Sequence, residues 1–525
     1  MEFTFSVFIL LLASLSLVLG QDAAFWNNQA RDSIQRALER ELNIGEAKNI
    51  IFFLGDGMSV PTVTAARIRQ GQLRGETGEE NILAWETFPH VGLIKTYNTD
   101  AQVPDSAGTA TAFFSGIKTK SGVVGIDDRV EYADCESGVG GEVDSVLVNA
   151  HNIGKATGVI STARITHATP AATYAHVAKR GWEVDTEMIE DGEDGKGCKD
   201  IALQLIEDNS FIKVILGGGR RMFYNNTELD PEDPSDRGNR TDGRNLIEEW
   251  QEGKANAHYV WNKEQFDAID EDTTDYLFGL FEDSHMRYAS ESEEGNDPSL
   301  ASMTEKAIKM LQKEEKGFFL AVEGGRIDHA HHAGNAYNAL GDAIAMSDAV
   351  AMALEMTSDS DTLIVVTADH AHTMSIGGYP DRGNKILGLA GYFGSDDLPF
   401  TTLGYLNGPG AEEVRQSYNY TGMRPNLTEI DTEDKDYLQQ AIVPLSSESH
   451  GGDDVAIYAT GPMAHLFHGV QEQSYIAHVM RNAGCYDETD TMNACLNLNS
   501  ASSNIPSAVR VSLMALLSAM ITYFF

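Results

Sequence analysis

Six apolar runs of strand length recur along the chain: 49–54, 156–161, 211–216, 318–322, 362–367 and 455–458. The first five are apolar on consecutive positions instead of alternating ones, which suits strands covered on both faces. Helical patterns at 299–314 and 336–356 lie between runs, so strands and helices alternate. That alternation predicts an α/β fold with a largely parallel central sheet between two layers of helices, a three-layer α/β/α sandwich. In such sheets ligands bind beyond the carboxyl ends of the strands. Chemically active residues stand at those ends: Asp56 after the first run, Glu323 after the fourth, and Asp369 and His370 after the fifth.

Two stretches read as insertions into this pattern. Residues 220–300 are rich in Asn, Asp, Glu and Arg, and residues 377–448 are heavy in Gly, Tyr, Asn and Thr. Residues 24–44 place Phe25, Ile34, Leu38 and Leu42 at helical spacing, an amphipathic helix ahead of the first strand.

The two ends carry processing signals. Residues 1–20 hold an apolar run closing on small residues, the pattern of a secretory signal peptide. At the other end, small residues around Asn499 and Ser500 precede a polar spacer and a terminal apolar tail. That tail is short for a membrane span and fits a GPI-attachment propeptide over 500–525, with Asn499 or Ser500 as the attachment residue; a plain C-terminal anchor is the alternative. The mature domain would then cover 21–499 and sit on the extracellular face of the cell membrane. Four cysteines allow three pairings; the nearness of Cys485 to Cys495 favours that pair and leaves Cys135 with Cys198. Asn225, Asn239, Asn419 and Asn426 lie in glycosylation sequons. A formal charge of −41 argues against nucleic acid as a partner and means that any phosphate chemistry rests on local cations.

Ser106 stands where Pro104 and Asp105 end one segment and small residues start a helix, so it is expected to cap that helix with its hydroxyl among free backbone N–H groups. Asp328 and His332 are four apart, which on a helical turn puts both on one face. With Asp56, Glu323, Asp369, His370 and His450 they outnumber the ligands of one metal ion, and carboxylate with imidazole suits zinc. Two metals about 4 Å apart form a clamp for in-line displacement at phosphorus, and coordination can ionise a serine hydroxyl. No G-x-S-x-G surrounds Ser106, which weakens an acyl-hydrolase reading.

Gly55–Met58, Pro104–Ala112, Arg164–Pro170, Val322–His332, Thr367–His372 and Ser449–Asp453 together resemble the animal-type, membrane-bound alkaline phosphatases. The resemblance implies that Ser106 is a nucleophile that becomes phosphoserine, and that Arg180 clamps phosphate. It implies one zinc on Asp328, His332 and His450, a second on Asp56, Asp369 and His370, and magnesium on Asp56, Thr169 and Glu323. His167 and His372 would support these ligands from behind. Thr169 stands where vertebrate members carry Ser. A calcium site would use Glu232, the carbonyl of Phe281, Glu282 and Asp297. The expected assembly is a homodimer in which the N-terminal helix grips the partner, 377–448 forms a crown, and Tyr379 reaches toward the neighbouring site. The substrates would be small phosphate monoesters. A catalytically silent membrane-tethered protein of the same fold and a related phosphodiesterase are the competing readings.

Overall fold

The computed structural model describes residues 22–292 and 297–486. The signal peptide, the attachment residues Asn499 and Ser500, the propeptide and Cys495 lie outside the described residues.

The described residues before Ile44 form one unit and those from Ile44 onward another. The first contains helix α1 (Ala23–Leu38), capped by Asp22 and carrying no buried residue. It ends earlier than the apolar spacing predicts, with Leu42 and Ile44 exposed beyond it.

The second unit is built on a ten-stranded sheet. In chain order its strands are β1 (Asn49–Gly55), β2 (His90–Lys95), β3 (Ala156–Arg164), β4 (Val214–Gly218), β5 (Ala257–Val260), β6 (Tyr276–Leu280), β7 (Phe318–Gly324), β8 (Thr362–Ala368), β9 (Val455–Thr460) and β10 (Gly469–Glu472). Across the sheet they run β10-β2-β9-β8-β1-β7-β3-β4-β6-β5. Only β9 is antiparallel to its neighbours. The strands β1, β7 and β8 are buried along their whole length, as their uninterrupted apolar sequences require. The run predicted at 211–216 is shifted: Phe211 to Lys213 form the turn that leads into β4.

Helices α2 (Val60–Leu73), α5 (Leu300–Leu311) and α7 (Ala336–Met356) pack together and on the sheet. Helices α3 (Ser106–Ser115), α4 (Val146–Asn152) and α9 (Tyr475–Gly484) form a second such group. Ser59, Ser299 and Asn335 cap α2, α5 and α7, and Pro61 occupies the first turn of α2, where its missing N–H costs nothing.

The two inserted stretches differ. Residues 220–300 were expected outside the core, yet β5 and β6 complete one edge of the central sheet. The surrounding polar sequence hid that role: β5 is short and of mixed polarity, and β6, though apolar, is only five residues long within an acidic stretch. Residues 377–448 instead supply Leu403–Gly408, Ala441–Pro444 and helix α8 (Gly410–Thr421), the two strands joining Met374–Ile376 in a separate three-stranded sheet. Cys135 and Cys198 form a disulfide, the pairing the cysteine spacing favours. Of the sequons, Asn419 and Asn426 are exposed and Asn239 is half-buried. Asn225 departs from expectation: it is buried, and its carboxamide oxygen accepts from Thr227 instead of facing solvent.

Candidate metal centre and its nucleophile

Four adjacent parallel strands, β8, β1, β7 and β3, deliver their carboxyl ends to one place. Asp56 follows β1, Glu323 is the second-last residue of β7, Asp369 and His370 follow β8, and Thr169 comes after β3. Because β9 runs the other way, the segment entering it arrives at the same end, and that segment holds His450. A short pairing of His450 with His372 fixes it there. Asp328 and His332 lie on α6 (Arg326–His332), the helix that leaves β7. The intervening His329 and His331 have other work: His331 is buried against Thr62 and Tyr405, and His329 accepts from Arg326.

The imidazoles are oriented from behind. His332 Nδ1 donates to the Glu448 carbonyl at 2.5 Å, and His450 Nδ1 donates to the Pro104 carbonyl at 2.7 Å. A carbonyl can only accept, so in the neutral rings Nε2 is the bare lone pair. These two Nε2 atoms lie 3.1 Å apart, and Asp328 Oδ1 is 3.5 Å from one and 3.4 Å from the other. His370 repeats the arrangement, with Nδ1 on the Ala371 carbonyl and Nε2 turned to Asp369 Oδ2 at 3.1 Å and Asp56 Oδ1 at 3.5 Å. Lone pairs and carboxylates facing each other repel unless a cation stands between them.

The electrostatics agree. Asp56, Asp369 and His370 are fully buried. Burial, with the charges of Asp369, Asp328 and Glu323, pushes the Asp56 carboxyl well above the usual range. Burial likewise raises Glu323 and Asp369 and keeps His370 neutral. Both Asp56 oxygens, Glu323 Oε1 and Thr169 Oγ1 are buried without a hydrogen-bond partner. An all-oxygen set of this kind suits a hard cation such as magnesium. Asp56, Asp369 and His370 converge on one point, and Asp328 and His450 converge with His370 and His372, with His332 Nε2 3.5 Å from Asp328 Oδ1 and 3.1 Å from His450 Nε2; the unpartnered oxygens of Asp56, Thr169 and Glu323 are the candidates for a hard cation.

His372 lies behind these groups. Its Nε2 bonds Asp328 Oδ1 at 2.7 Å and its Nδ1 bonds Glu448 Oε2 at 2.5 Å. Burial lowers its proton affinity, but the two carboxylates outweigh that and lift it to about 9. Gly57 makes room for the ring: its φ is +68°, and a Cβ there would fall 2.4 Å from the imidazole. Glu448 was not singled out from sequence. It accepts from His372 and from the backbone and hydroxyl of Thr373 while its carbonyl holds His332. A carboxylate two residues before His450 in a polar loop was the only available sign.

Ser106 opens α3 with its Oγ 3.3 Å from His370 Nε2. It does not cap the helix. Asp105 does, its carboxylate accepting from Ala107 N at 3.2 Å and Gly108 N at 3.1 Å, which leaves the Ser106 hydroxyl free to face the metal centre. The same carboxylate accepts from Arg180 Nη1 at 3.1 Å, and His167 Nε2 accepts from Arg180 Nη2 at 3.0 Å. Arg180, His332 and His450 are partly exposed, so the site opens to solvent on their side.

Of the residues expected to hold calcium, Glu232, Glu282 and Asp297 share arginine partners. Arg287 Nε donates to Glu282 at 2.7 Å and its Nη2 to Glu232 at 3.4 Å, while Arg220 Nη2 takes the other Glu232 oxygen at 2.7 Å. A cavity of about 850 Å³ at Phe400, Leu403, Tyr405 and Ile442 has no Asp, Glu or His in its wall.

A family profile described as alkaline phosphatase matches residues 47–486. The chain is 50% identical over 468 residues to the alkaline phosphatase of Gadus morhua, covering 88% of this chain and 97% of that one. It is 48% identical over 501 residues to the tissue-nonspecific isozyme of alkaline phosphatase from Rattus norvegicus, with 94% of each covered. Among solved structures, the alkaline phosphatase of Thermus thermophilus superposes with a TM-score of 0.61 at 23% identity, covering 87% of this chain and 95% of that one.

Proposed function

The chain belongs to the alkaline phosphatase family, and from that premise we propose that it hydrolyses phosphate monoesters through a phosphoserine on Ser106. Zinc would be held by Asp328, His332 and His450 and by Asp56, Asp369 and His370, and magnesium by Asp56, Thr169 and Glu323. The observation that carries this reading is the pair of imidazole lone pairs 3.1 Å apart, both facing Asp328. Bound, these ions supply Lewis acidity that favours an ionised hydroxyl and offsets phosphate charge.

The chain's own groups do the rest. Arg180, anchored by Asp105 and His167, offers its fork to two phosphate oxygens. Ser106 Oγ, at the N-terminus of α3, attacks phosphorus in line. A bond forms from Oγ to phosphorus as the ester bond breaks; the serine proton passes to solvent and the departing alkoxide is protonated from it. Water then attacks the phosphoserine from the opposite side and gives a proton to solvent, the bond to Oγ breaks, Oγ takes a proton back from solvent, and phosphate leaves.

The mature domain is proposed to span 21–499, extracellular and GPI-anchored. The Cys135–Cys198 disulfide supports an oxidising compartment, and no helix among the described residues is long and apolar enough to cross a membrane. A homodimer is supported by α1, which exposes Phe25, Trp26, Ile34 and Leu38, and by Tyr379, 91% exposed. The test is turnover of an aryl phosphate, abolished by chelator and restored by zinc with magnesium. Ser106→Ala should lose covalent phosphate while keeping its zinc; full activity after complete metal removal would refute the proposal.

A further inference from the structure

The acidic cluster of Glu232, Glu282 and Asp297 already has a cation, and it is part of the chain. Arg287 follows β6 by a few residues and folds back, so that its guanidinium reaches Glu282 Oε1 and Glu232 Oε1 while its backbone N–H donates to Asp297 Oδ2 at 3.3 Å. Arg220, itself bound through Nε and Nη2 to Asp230 at 2.9 Å each, takes Glu232 Oε2. Four of the six carboxylate oxygens therefore accept from arginine.

Calcium needs six to eight oxygens turned toward one point. A guanidinium bonded to two of the three carboxylates denies it those oxygens and repels a dication at their focus. We propose that Arg287 takes the place of a calcium ion in this chain, tying Glu232, Glu282 and Asp297 together so that the fold needs no metal at this cluster. Arg287 is 40% exposed and touches none of the groups assigned to phosphate chemistry, so its replacement leaves turnover intact.

The experiment uses the full protein with zinc and magnesium kept saturating. Bound calcium is measured by elemental mass spectrometry, and Tm is measured with and without about 1 mM calcium, the range of extracellular calcium modules. The wild type should hold less than about a tenth of a calcium per chain, with a Tm indifferent to added calcium. Arg287→Gln frees the carboxylates; it should take up about one calcium per chain and gain Tm when calcium is added. Arg287→Lys keeps a cation and should behave as the wild type. A wild type that binds about one calcium per chain would overturn the proposal. So would an Arg287→Gln protein that turns over aryl phosphate normally and takes up none. Neither readout depends on the phosphoserine chemistry.

Discussion

Asp105 performs two jobs with one carboxylate, and two substitutions separate them. Its Oδ1 accepts from Gly108 N and Asn98 Nδ2, and its Oδ2 accepts from Ala107 N and Arg180 Nη1. In Asp105→Asn the amide oxygen can keep Gly108 and Asn98, and Asn caps a helix about as well as Asp, while the NH2 group replacing Oδ2 gives up Ala107 N and faces the Arg180 fork, which it repels. A hydrogen bond to an ionised group contributes about 1.5–3 kcal/mol. Losing it from the phosphate clamp predicts a fall in kcat/KM of about ten- to 150-fold. In Asp105→Ala the cap goes as well, at about 1–2 kcal/mol of stability. Both variants should lose activity alike, and only the alanine should unfold at a lower urea concentration. Steady-state kinetics on an aryl phosphate and urea titration of the metal-loaded protein measure the two effects. An asparagine variant with wild-type kcat/KM would refute the role in positioning Arg180, and an alanine variant as stable as the asparagine would refute the cap.

Glu448→Gln should weaken zinc binding by about ten- to a hundredfold, since it disturbs the support of His372; competition with a chromogenic chelator reads this directly. Asp342 on α7 is buried, accepts from Ala289 N at 3.2 Å, and faces Arg326 and Glu291; burial lifts its carboxyl to about 7. A carboxyl raised on folding contributes stability at low pH that is lost as pH rises through about 7. Asp342→Asn should therefore gain thermal stability over the wild type above about pH 8, with the difference shrinking below pH 5; equal melting curves across that range would contradict the assignment.

The centre of the fold was legible because β1, β7 and β8 are covered on both faces, and such strands must be apolar at every position. The strands β2, β5 and β10 were not. They lie toward the edges, β2 alternating buried Gly92–Ile94 positions with exposed ones, and their four to six residues carry too few apolar side chains to stand out. The candidate ligands could be picked out because Asp56, Glu323, Asp369 and His370 stand at strand ends and Asp328 and His332 are spaced for one face of a helix. The cap was misread because Asp105 and Ser106 are both capping residues and adjacent, and only backbone geometry tells which precedes the first turn. Glu448 and Arg287 act through contacts distant in sequence, 76 residues for Glu448 with His372 and 55 for Arg287 with Glu232. No local pattern announces such contacts.

The claim on which the rest depends is that phosphate passes through Ser106. Transfer from a monoester chiral at phosphorus to an acceptor alcohol tests it most directly. Each in-line displacement inverts phosphorus, so passage through Ser106 makes two inversions and the product should keep the configuration of the substrate. Net inversion would mean a single displacement by the acceptor, with Ser106 never bonded to phosphorus.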